Sequence, residues 1–283
     1  MNLRDALTQY SLNWRDDLSA NWRAALASTS PNALGVLDTL TFATTEPIYP
    51  TRRNVVLPGA RADAHVFRAF DDLQPASVRC VLIGQDPYPM LSRATGRSFE
   101  QGDLDAWVSK ASSVASSLRV LLRMLVAART GDTAVLKMSW ANFVKFTATI
   151  DLESPRYLFD HLQSQGVLCL NTGLTITRYK SGGAPEQTKG HIPYWKPVVG
   201  QVLRSIATRS SGHVVFLCLG QFAQKLLVSE RVKVEATAAN TWGTCATDLA
   251  MPHPVAPGFI SGPNPFVAVN GKLNSMGASS IDW

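Results

Sequence analysis

Four short apolar runs constrain the fold of this 283-residue chain more than any other feature. They are VRCVLIG (78–84), VLCLN (167–171), VVFLCLG (214–220) and TDLAMPHP (247–254). Patterns typical of helices lie between them, over 117–129, 154–166, 194–207 and 221–227. Buried strands that alternate with helices predict an α/β fold with a central, mostly parallel four-stranded sheet flanked by helices on both faces. We expect the whole chain, 1–283, to form a single domain of this kind.

Composition limits the class of protein without identifying it. A hydrophobic content of 46% and only 17% charged residues indicate a well-filled core rather than disorder. The formal net charge of +6 favours an anionic partner such as nucleic acid, although many basic proteins bind none. The N-terminal residues lack the apolar core of a secretory signal, and no run approaches ~18 uninterrupted apolar residues. We therefore expect a cytoplasmic protein that does not use a membrane.

The four cysteines favour neither disulfides nor a metal site. Cys80, Cys169 and Cys218 each lie inside an apolar run, Cys245 follows a Trp-Gly-Thr turn, and none belongs to a C-x-x-C pair. Buried free thiols are the expected state. Because the sequence shows no cluster of metal ligands, we expect no metal and no cofactor.

Polar residues stand at the ends of three predicted strands: Gln85 and Asp86, Asn171, and His253. Ligands of open α/β sheets bind beyond the carboxyl ends of the strands, so these side chains are expected to face one crevice. Each also has a purely structural interpretation, because Asp and Pro shape turns and Asn caps them. Three such residues at equivalent edges favour a catalytic site.

Several segments of the chain resemble the main uracil-DNA glycosylase family, in the order in which that family has them. GQDPYP (84–89) is similar to the family's water-activating motif GQDPYH, and TGRSF (95–99) places a glycine and a phenylalanine at the family's positions. The other similar segments are IYP (48–50), GVLCLNTGLTIT (166–177), FLCLGQFAQK (216–225), PHPVAPGF (252–259) and IDW (281–283). The similarity runs from about residue 45 to the end of the chain.

The resemblance implies a reaction and a catalytic pair. The reaction is hydrolysis of the bond between uracil and deoxyribose in DNA, which releases uracil and leaves an abasic site. Asp86, as a carboxylate, would stabilise the cation-like sugar and orient the attacking water. His253 would donate a hydrogen bond to uracil O2, where negative charge develops, and a neutral imidazole suffices for this.

The resemblance also implies how the base is recognised. Asn171 would accept from N3–H and donate to O4 of uracil, a pattern that cytosine reverses. Tyr88 would stand against C5 and exclude the methyl group of thymine, and Phe99 would stack on the extruded ring. The backbone of Gln85 would help to hold the base. Core packing is the competing role for both aromatic residues.

DNA contacts are the least determined part of the resemblance, because the target nucleotide has to leave the stack. Ser117 fits a phosphate-contacting position but could equally cap a helix. Lys189 and His191 are candidates for backbone contacts or plain loop residues. The position of the family's leucine wedge falls at Pro257, which inserts poorly, so Phe259 or Ile260 is expected to replace it. The implied partner is uracil-containing DNA, single- or double-stranded, bound by a monomer; the sequence identifies no protein inhibitor.

Three segments depart from the family. Pro89 replaces the histidine that follows the tyrosine, and ASSVASS (111–117) replaces a proline-rich loop, which predicts a looser grip on DNA. The stretch 130–153 is longer than the family needs and has no assigned role.

Three alternatives stay open beside uracil excision. They are a binding protein without turnover, a glycosylase of wider base range or restricted to single strands, and a structural α/β protein. The intact Asp86, Asn171 and His253 count against the first and the third, and Tyr88 with Asn171 counts against a wider base range.

Overall fold

A parallel four-stranded sheet forms the centre of the molecule, as predicted. The computed structural model describes residues 1–108, 110–177 and 184–283. The strands are β1 (Cys80–Gly84), β2 (Val167–Asn171), β3 (Val214–Leu219) and β4 (Ala246–Met251), in the order β2-β1-β3-β4. Each neighbouring pair is parallel, with Gly84 opposite Asn171 and Leu219 opposite Met251. The fourth strand ends earlier than the predicted run, so His253 lies beyond the sheet edge.

Nine α-helices surround this sheet in the described parts of the chain. They are α1 (Leu3–Tyr10), α2 (Ala20–Ala25), α3 (Ser116–Thr130), α4 (Trp140–Thr149), α5 (Pro155–Ser164), α6 (Ile192–Ala207), α7 (Gln221–Ser229), α8 (Val232–Ala238) and α9 (Pro265–Ser275). The four predicted helices correspond to α3, α5, α6 and α7. Their ends differ from the prediction by one or two residues, which is the usual uncertainty at helix termini.

The strand side chains divide into two cores because successive residues of a strand point to opposite faces. Val81 and Ile83 pack with residues of α1, α2, α6, α7 and α8. Cys80 and Leu82 pack on the other face with residues of α3, α4, α5 and α9. Burial on both faces explains why β1, β2 and β3 are almost continuously apolar. The prediction of helices on both faces of the sheet is therefore confirmed.

The stretch 130–153 is ordered and packs against α3. It contains a short 3-10 turn over Thr133–Lys137 and then α4. The indole of Trp140 donates to the carbonyl of Val108 at 2.8 Å, and the indole of Trp107 donates to the carbonyl of Glu153 at 2.7 Å. Within the described ranges, no helix is both long and apolar enough to cross a membrane.

Candidate active site

A cavity of about 500 Å³ opens at the carboxyl edge of the sheet. All four strand ends contribute to its wall: Asp86 follows β1, Asn171 ends β2, Gly220 follows β3 and His253 follows β4. Parallel strands bring these residues together because their carboxyl ends lie at the same edge. Asp86 and His253 therefore face one common cavity.

Backbone hydrogen bonds join the turns after β1 and β2, which lie in close contact. The carbonyl of Gln85 accepts from the amides of Thr172 and Gly173 at 3.1 and 2.8 Å. A Cβ on Gly84 would lie 2.5 Å from Oδ1 of Asn171, and one on Gly173 would lie 2.7 Å from Oδ1 of Asp86. Glycine at these two positions therefore lets the backbone approach the polar side chains of the site.

The carboxylate of Asp86 is held by two side-chain amides. Nε2 of Gln187 donates to its Oδ1 at 2.5 Å, and Nε2 of Gln85 donates to its Oδ2 at 3.0 Å. Burial raises the pKa of Asp86 to about 6, while the two amide hydrogen bonds oppose that rise. The group is therefore mainly ionised at pH 7 and becomes protonated as the pH falls through about 6.

Gln187 is a site residue that the sequence analysis missed. It starts a single π-helical turn, Gln187–His191, and its Nε2 also donates to the carbonyl of Thr175 at 3.2 Å. Gln187 and Asp86 are 101 positions apart, and no pattern in the sequence connects them. Only the folded chain brings them together.

His191 belongs to the interior support of the site and does not reach its surface. Its ring is fully buried, with Nδ1 2.7 Å from Oγ1 of Thr175 and Nε2 3.2 Å from Oγ1 of Thr177. Burial lowers its pKa to about 3, so the ring is neutral. The expectation that His191 contacts the DNA backbone is corrected, because both ring nitrogens are occupied inside the protein. Lys189, in contrast, is exposed beside Thr188, a residue of the cavity wall.

His253 is oriented by its own turn. The amide of Val255 donates to its Nδ1 at 3.3 Å, so the proton of the neutral ring is on Nε2. Burial lowers the pKa of His253, which favours that neutral form. Gly220 adopts a φ of 89°, and a Cβ there would lie 3.1 Å from Cβ of His253. The imidazole thus presents an N–H donor to the cavity.

Asn171 is only 3% exposed, although it lines the cavity. Its buried Oδ1 has no hydrogen-bond partner among the described residues. An unsatisfied buried acceptor costs about 1–3 kcal/mol, so a ligand that supplies the missing donor is favoured. The oxygen and nitrogen of the amide can exchange places by a rotation of the group, so it can both donate and accept.

Tyr88 and Phe99 form an aromatic part of the wall. Phe99 has a φ of 64°, a left-handed conformation that bulky residues rarely adopt and that is often retained at functional sites. The hydroxyl of Tyr88 lies 3.4 Å from the carbonyl of Phe99. Burial raises the pKa of Tyr88 to about 12, so it is a neutral phenol.

Tyr49, from the IYP segment, donates to the carbonyl of Pro89 at 2.9 Å and anchors the GQDPYP turn.

The loop 111–117 is fastened by a buried side chain in place of prolines. Gln101, 1% exposed, donates to the carbonyl of Ser113 at 2.7 Å and accepts from the amide of Ala115 at 2.8 Å. Ser117 follows as the second residue of α3 and lines the cavity. Gln101 is a second residue that the sequence analysis missed, because its partners in this loop are backbone groups, which carry no sequence signal.

The segment after His253 exposes small apolar groups. Val255 is 54% exposed and Pro257 is also exposed. Phe259 is only 4% exposed and packs in the core beside α3 and α9, and Ile260 is half-buried. The expectation that Phe259 enters DNA is corrected, because its ring already fills the core.

Comparisons with known proteins agree with the motifs. No protein-family model matches the chain. It is 26% identical to the uracil-DNA glycosylase of Exiguobacterium sibiricum over 223 residues, covering 77% of this chain and 80% of that one. It is 28% identical to the same enzyme of Lactobacillus delbrueckii subsp. bulgaricus over 224 residues, covering 77% and 78%. For the Tropheryma whipplei enzyme the values are 26% over 278 residues, or 95% of both chains.

Solved structures show the same fold. The wild-type UNG of Nitratifractor salsuginis superposes with a TM-score of 0.63 at 20% identity, covering 95% of this chain and 96% of that one. The mimivirus uracil-DNA glycosylase gives a TM-score of 0.53 at 18% identity, covering 84% and 75%. The resemblance indicated by the sequence motifs is thus confirmed in sequence and in fold: this chain is a divergent relative of the uracil-DNA glycosylases.

Proposed function

We propose that the protein hydrolyses the N-glycosidic bond between uracil and deoxyribose in DNA, as a monofunctional glycosylase of base excision repair. The observation that carries the proposal is the common cavity at the carboxyl edge of the sheet, which Asp86, His253 and Asn171 all line. A protein that only bound DNA would have no need of a carboxylate, an imidazole and an amide around one small cavity, since a carboxylate repels the DNA phosphates.

Asp86 acts on the sugar. When the bond breaks, its electron pair leaves with N1 of uracil and the deoxyribose becomes cation-like. A carboxylate ~4 Å from that positive charge contributes roughly 4 kcal/mol at an effective dielectric of ~20. That is ~1000-fold in rate. The water that Asp86 orients adds its oxygen to C1′, and the ionised carboxylate is at hand to accept its proton.

His253 acts on the base. The negative charge that arrives on the uracil ring is shared by O2, and Nε2–H of His253 is the donor aimed at it. The ring is already neutral and already oriented by the amide of Val255, so it stabilises the anion without transferring its proton.

Asn171, Tyr88 and Phe99 select uracil. The unsatisfied amide of Asn171 pairs with N3–H and O4, and a site built on such bonds rejects a reversed pattern by roughly 10⁴-fold or more. Tyr88 leaves no room for a methyl group at C5. Phe99 stacks on the ring, a contact that contributes ~1–3 kcal/mol per base. The backbone of Gln85 holds the base from the turn.

The same loops extrude the nucleotide from the DNA. Ser117, which lines the cavity, and the exposed Lys189 contact phosphates of the bound strand. The exposed Val255 and Pro257 enter the gap that the nucleotide leaves. Because neither residue carries a large apolar side chain, opening a duplex receives less help. We therefore expect single-stranded DNA to be the better substrate.

We also propose that the enzyme works as a monomeric single domain, in the cytoplasm, with access to chromosomal DNA. Leu3 belongs to one of the two cores of the sheet and Trp283 to the other. Both ends of the chain are thus packed on the same sheet, which supports one cooperative unit.

Labelled oligonucleotides with one uracil, single-stranded and paired with guanine, test the proposal. Abasic sites are counted after alkaline cleavage. Wild type is expected to release uracil but neither thymine nor cytosine, and Asp86→Asn to be slower by about 1000-fold. Asp105→Asn is the matched control, because it removes an exposed carboxylate outside the cavity. No release from either substrate, or equal rates for Asp86→Asn and wild type, would refute the proposal.

A further inference from the structure

We propose that a second, arginine-lined groove beside the cavity binds the phosphates of the DNA strand that flanks the extruded nucleotide. The groove measures about 450 Å³. Its two sides are α3 with Trp140 of α4, and the segment 254–258. We call it the arginine groove, after Arg119 and Arg123, which line it from α3. This inference rests on the proposed function in one respect only, namely that DNA is the ligand.

Among the residues that the structure describes, the two arginines form a positive pair without a negative partner. Arg119 and Arg123 are one helical turn apart and so lie on the same face of α3. Within residues 1–108, 110–177 and 184–283, neither is found in an ion pair with a carboxylate. Arg129, at the other end of α3, is paired with Glu153. Burial and the charge of Arg119 both lower the pKa of Arg123, as expected for cations without a nearby acid.

Both guanidinium groups are nevertheless held in place. Arg119 donates to the carbonyl of Ala111 at 2.6 Å, and Arg123 donates to the carbonyl of Met138 at 2.9 Å. The guanidinium of Arg123 also lies 5.6 Å from the ring centroid of Trp140. Carbonyls and a ring fix the direction of a cation but leave its charge unneutralised. Such a preorganised arginine suits a phosphate, which accepts its planar fork of N–H groups.

The groove continues the active-site cavity along two chain segments. Ser116 lines the groove and Ser117 lines the cavity, while Pro254 lines the groove and His253 lines the cavity. A strand that delivers its nucleotide to the cavity must pass this junction. Phosphates follow one another at about 3.4 Å of helix rise per strand in duplex DNA, so neighbouring phosphates come within reach of the groove.

This placement gives a role to the stretch 130–153. That stretch supplies Trp140, which is part of the groove, and Met138, whose carbonyl orients Arg123. This stretch thus contributes one ring to the side of the groove that α3 forms, and one carbonyl that orients Arg123.

A binding titration with uncleavable DNA tests the groove separately from catalysis. The probe is a single-stranded 15-nucleotide oligomer with a tetrahydrofuran abasic analogue, followed by fluorescence anisotropy at several salt concentrations. Arg119→Gln is expected to weaken binding about tenfold at low salt, as loss of a charge-assisted hydrogen bond does. It should also reduce the slope of log K against log salt by about 0.7. Arg119→Lys, which keeps the charge, should retain the slope of wild type.

Lys272→Gln is the control, since it removes one exposed positive charge on α9 that lines neither cavity nor groove. Replacing single phosphates of the probe by neutral methylphosphonates then locates the contact. At one position of the probe, this replacement should weaken binding by wild type but not by Arg119→Gln. If no position behaves in this way, or if Arg119→Gln keeps the slope of wild type, the groove does not bind phosphate. If wild type releases no uracil but its salt slope still exceeds that of Arg119→Gln, only the proposed function is overturned.

Discussion

Gln187→Ala offers a quantitative test of how the fold sets the charge of Asp86. The substitution removes the 2.5 Å hydrogen bond from Nε2 of Gln187 to Oδ1 of Asp86. A hydrogen bond to a charged group contributes about 1.5–3 kcal/mol, and each pKa unit corresponds to about 1.36 kcal/mol. The pKa of Asp86, about 6 in wild type, should therefore rise into the range of about 7 to 8.

Gln187→Ala should lower activity, because the ionised carboxylate of Asp86 is the proposed active form. Because the variant needs a higher pH to lose the same proton, its activity disappears at a higher pH as the solution is acidified. At pH 7 the ionised fraction falls from about nine tenths to between about one half and one tenth, so kcat/KM should fall about two- to ninefold. At pH 9 both carboxylates are ionised, and the rates should converge.

The measurement is a pH profile of kcat/KM with a single-stranded uracil oligonucleotide. Gln85→Ala is the internal comparison: its bond to Asp86 is longer, at 3.0 Å, and its side chain is exposed, so its acid limb should move less. Melting curves establish that both variants are folded. An acid limb of Gln187→Ala that coincides with that of wild type would refute the assignment of Gln187 as the residue that tunes Asp86.

Three further substitutions test the remaining parts of the site. Asn171→Asp should lose uracil release and either gain cytosine release or be inactive. A rate for uracil equal to that of wild type would contradict the proposal that Asn171 recognises the base. Tyr88→Ala should release thymine from thymine-containing oligonucleotides, whereas efficient thymine release by wild type would count against the Tyr88 assignment. Gln101→Ala removes two hydrogen bonds of about 1 kcal/mol each from the loop 111–117, so the melting temperature should fall and KM should rise several-fold with kcat nearly unchanged. An unchanged KM would show that this loop takes no part in holding DNA.

Most of the sheet was predictable because β1, β2 and β3 are buried on both faces and therefore almost continuously apolar. Their ends were also predictable, since the first polar residues of these runs, Gln85 with Asp86 and Asn171, mark the sheet edge. His253 was located by the same rule even though β4 ends at Met251, before the predicted limit. The residues that line the cavity at the strand ends thus follow from local sequence and one topological principle.

The support of the site was not predictable in this way. Gln187 and Gln101 act through partners that are far away in sequence or belong to the backbone, and neither interaction leaves a local pattern. His191 ends a π-helical turn and Phe259 begins a short 3-10 turn, in segments that the sequence analysis expected to face DNA. Both are buried, because tertiary packing offered His191 two threonine hydroxyls and Phe259 an apolar core. Burial of single loop side chains depends on the whole fold.

We propose that Asp86 and His253 act on one glycosidic bond from opposite ends. Single-turnover release of uracil from single-stranded DNA tests it most directly, with wild type, Asp86→Asn, His253→Gln and the double variant. Each single variant should be slower by orders of magnitude. The double variant should lose less than the product of the two effects, because both groups stabilise the same charge separation. A rate for either single variant equal to that of wild type would contradict the account.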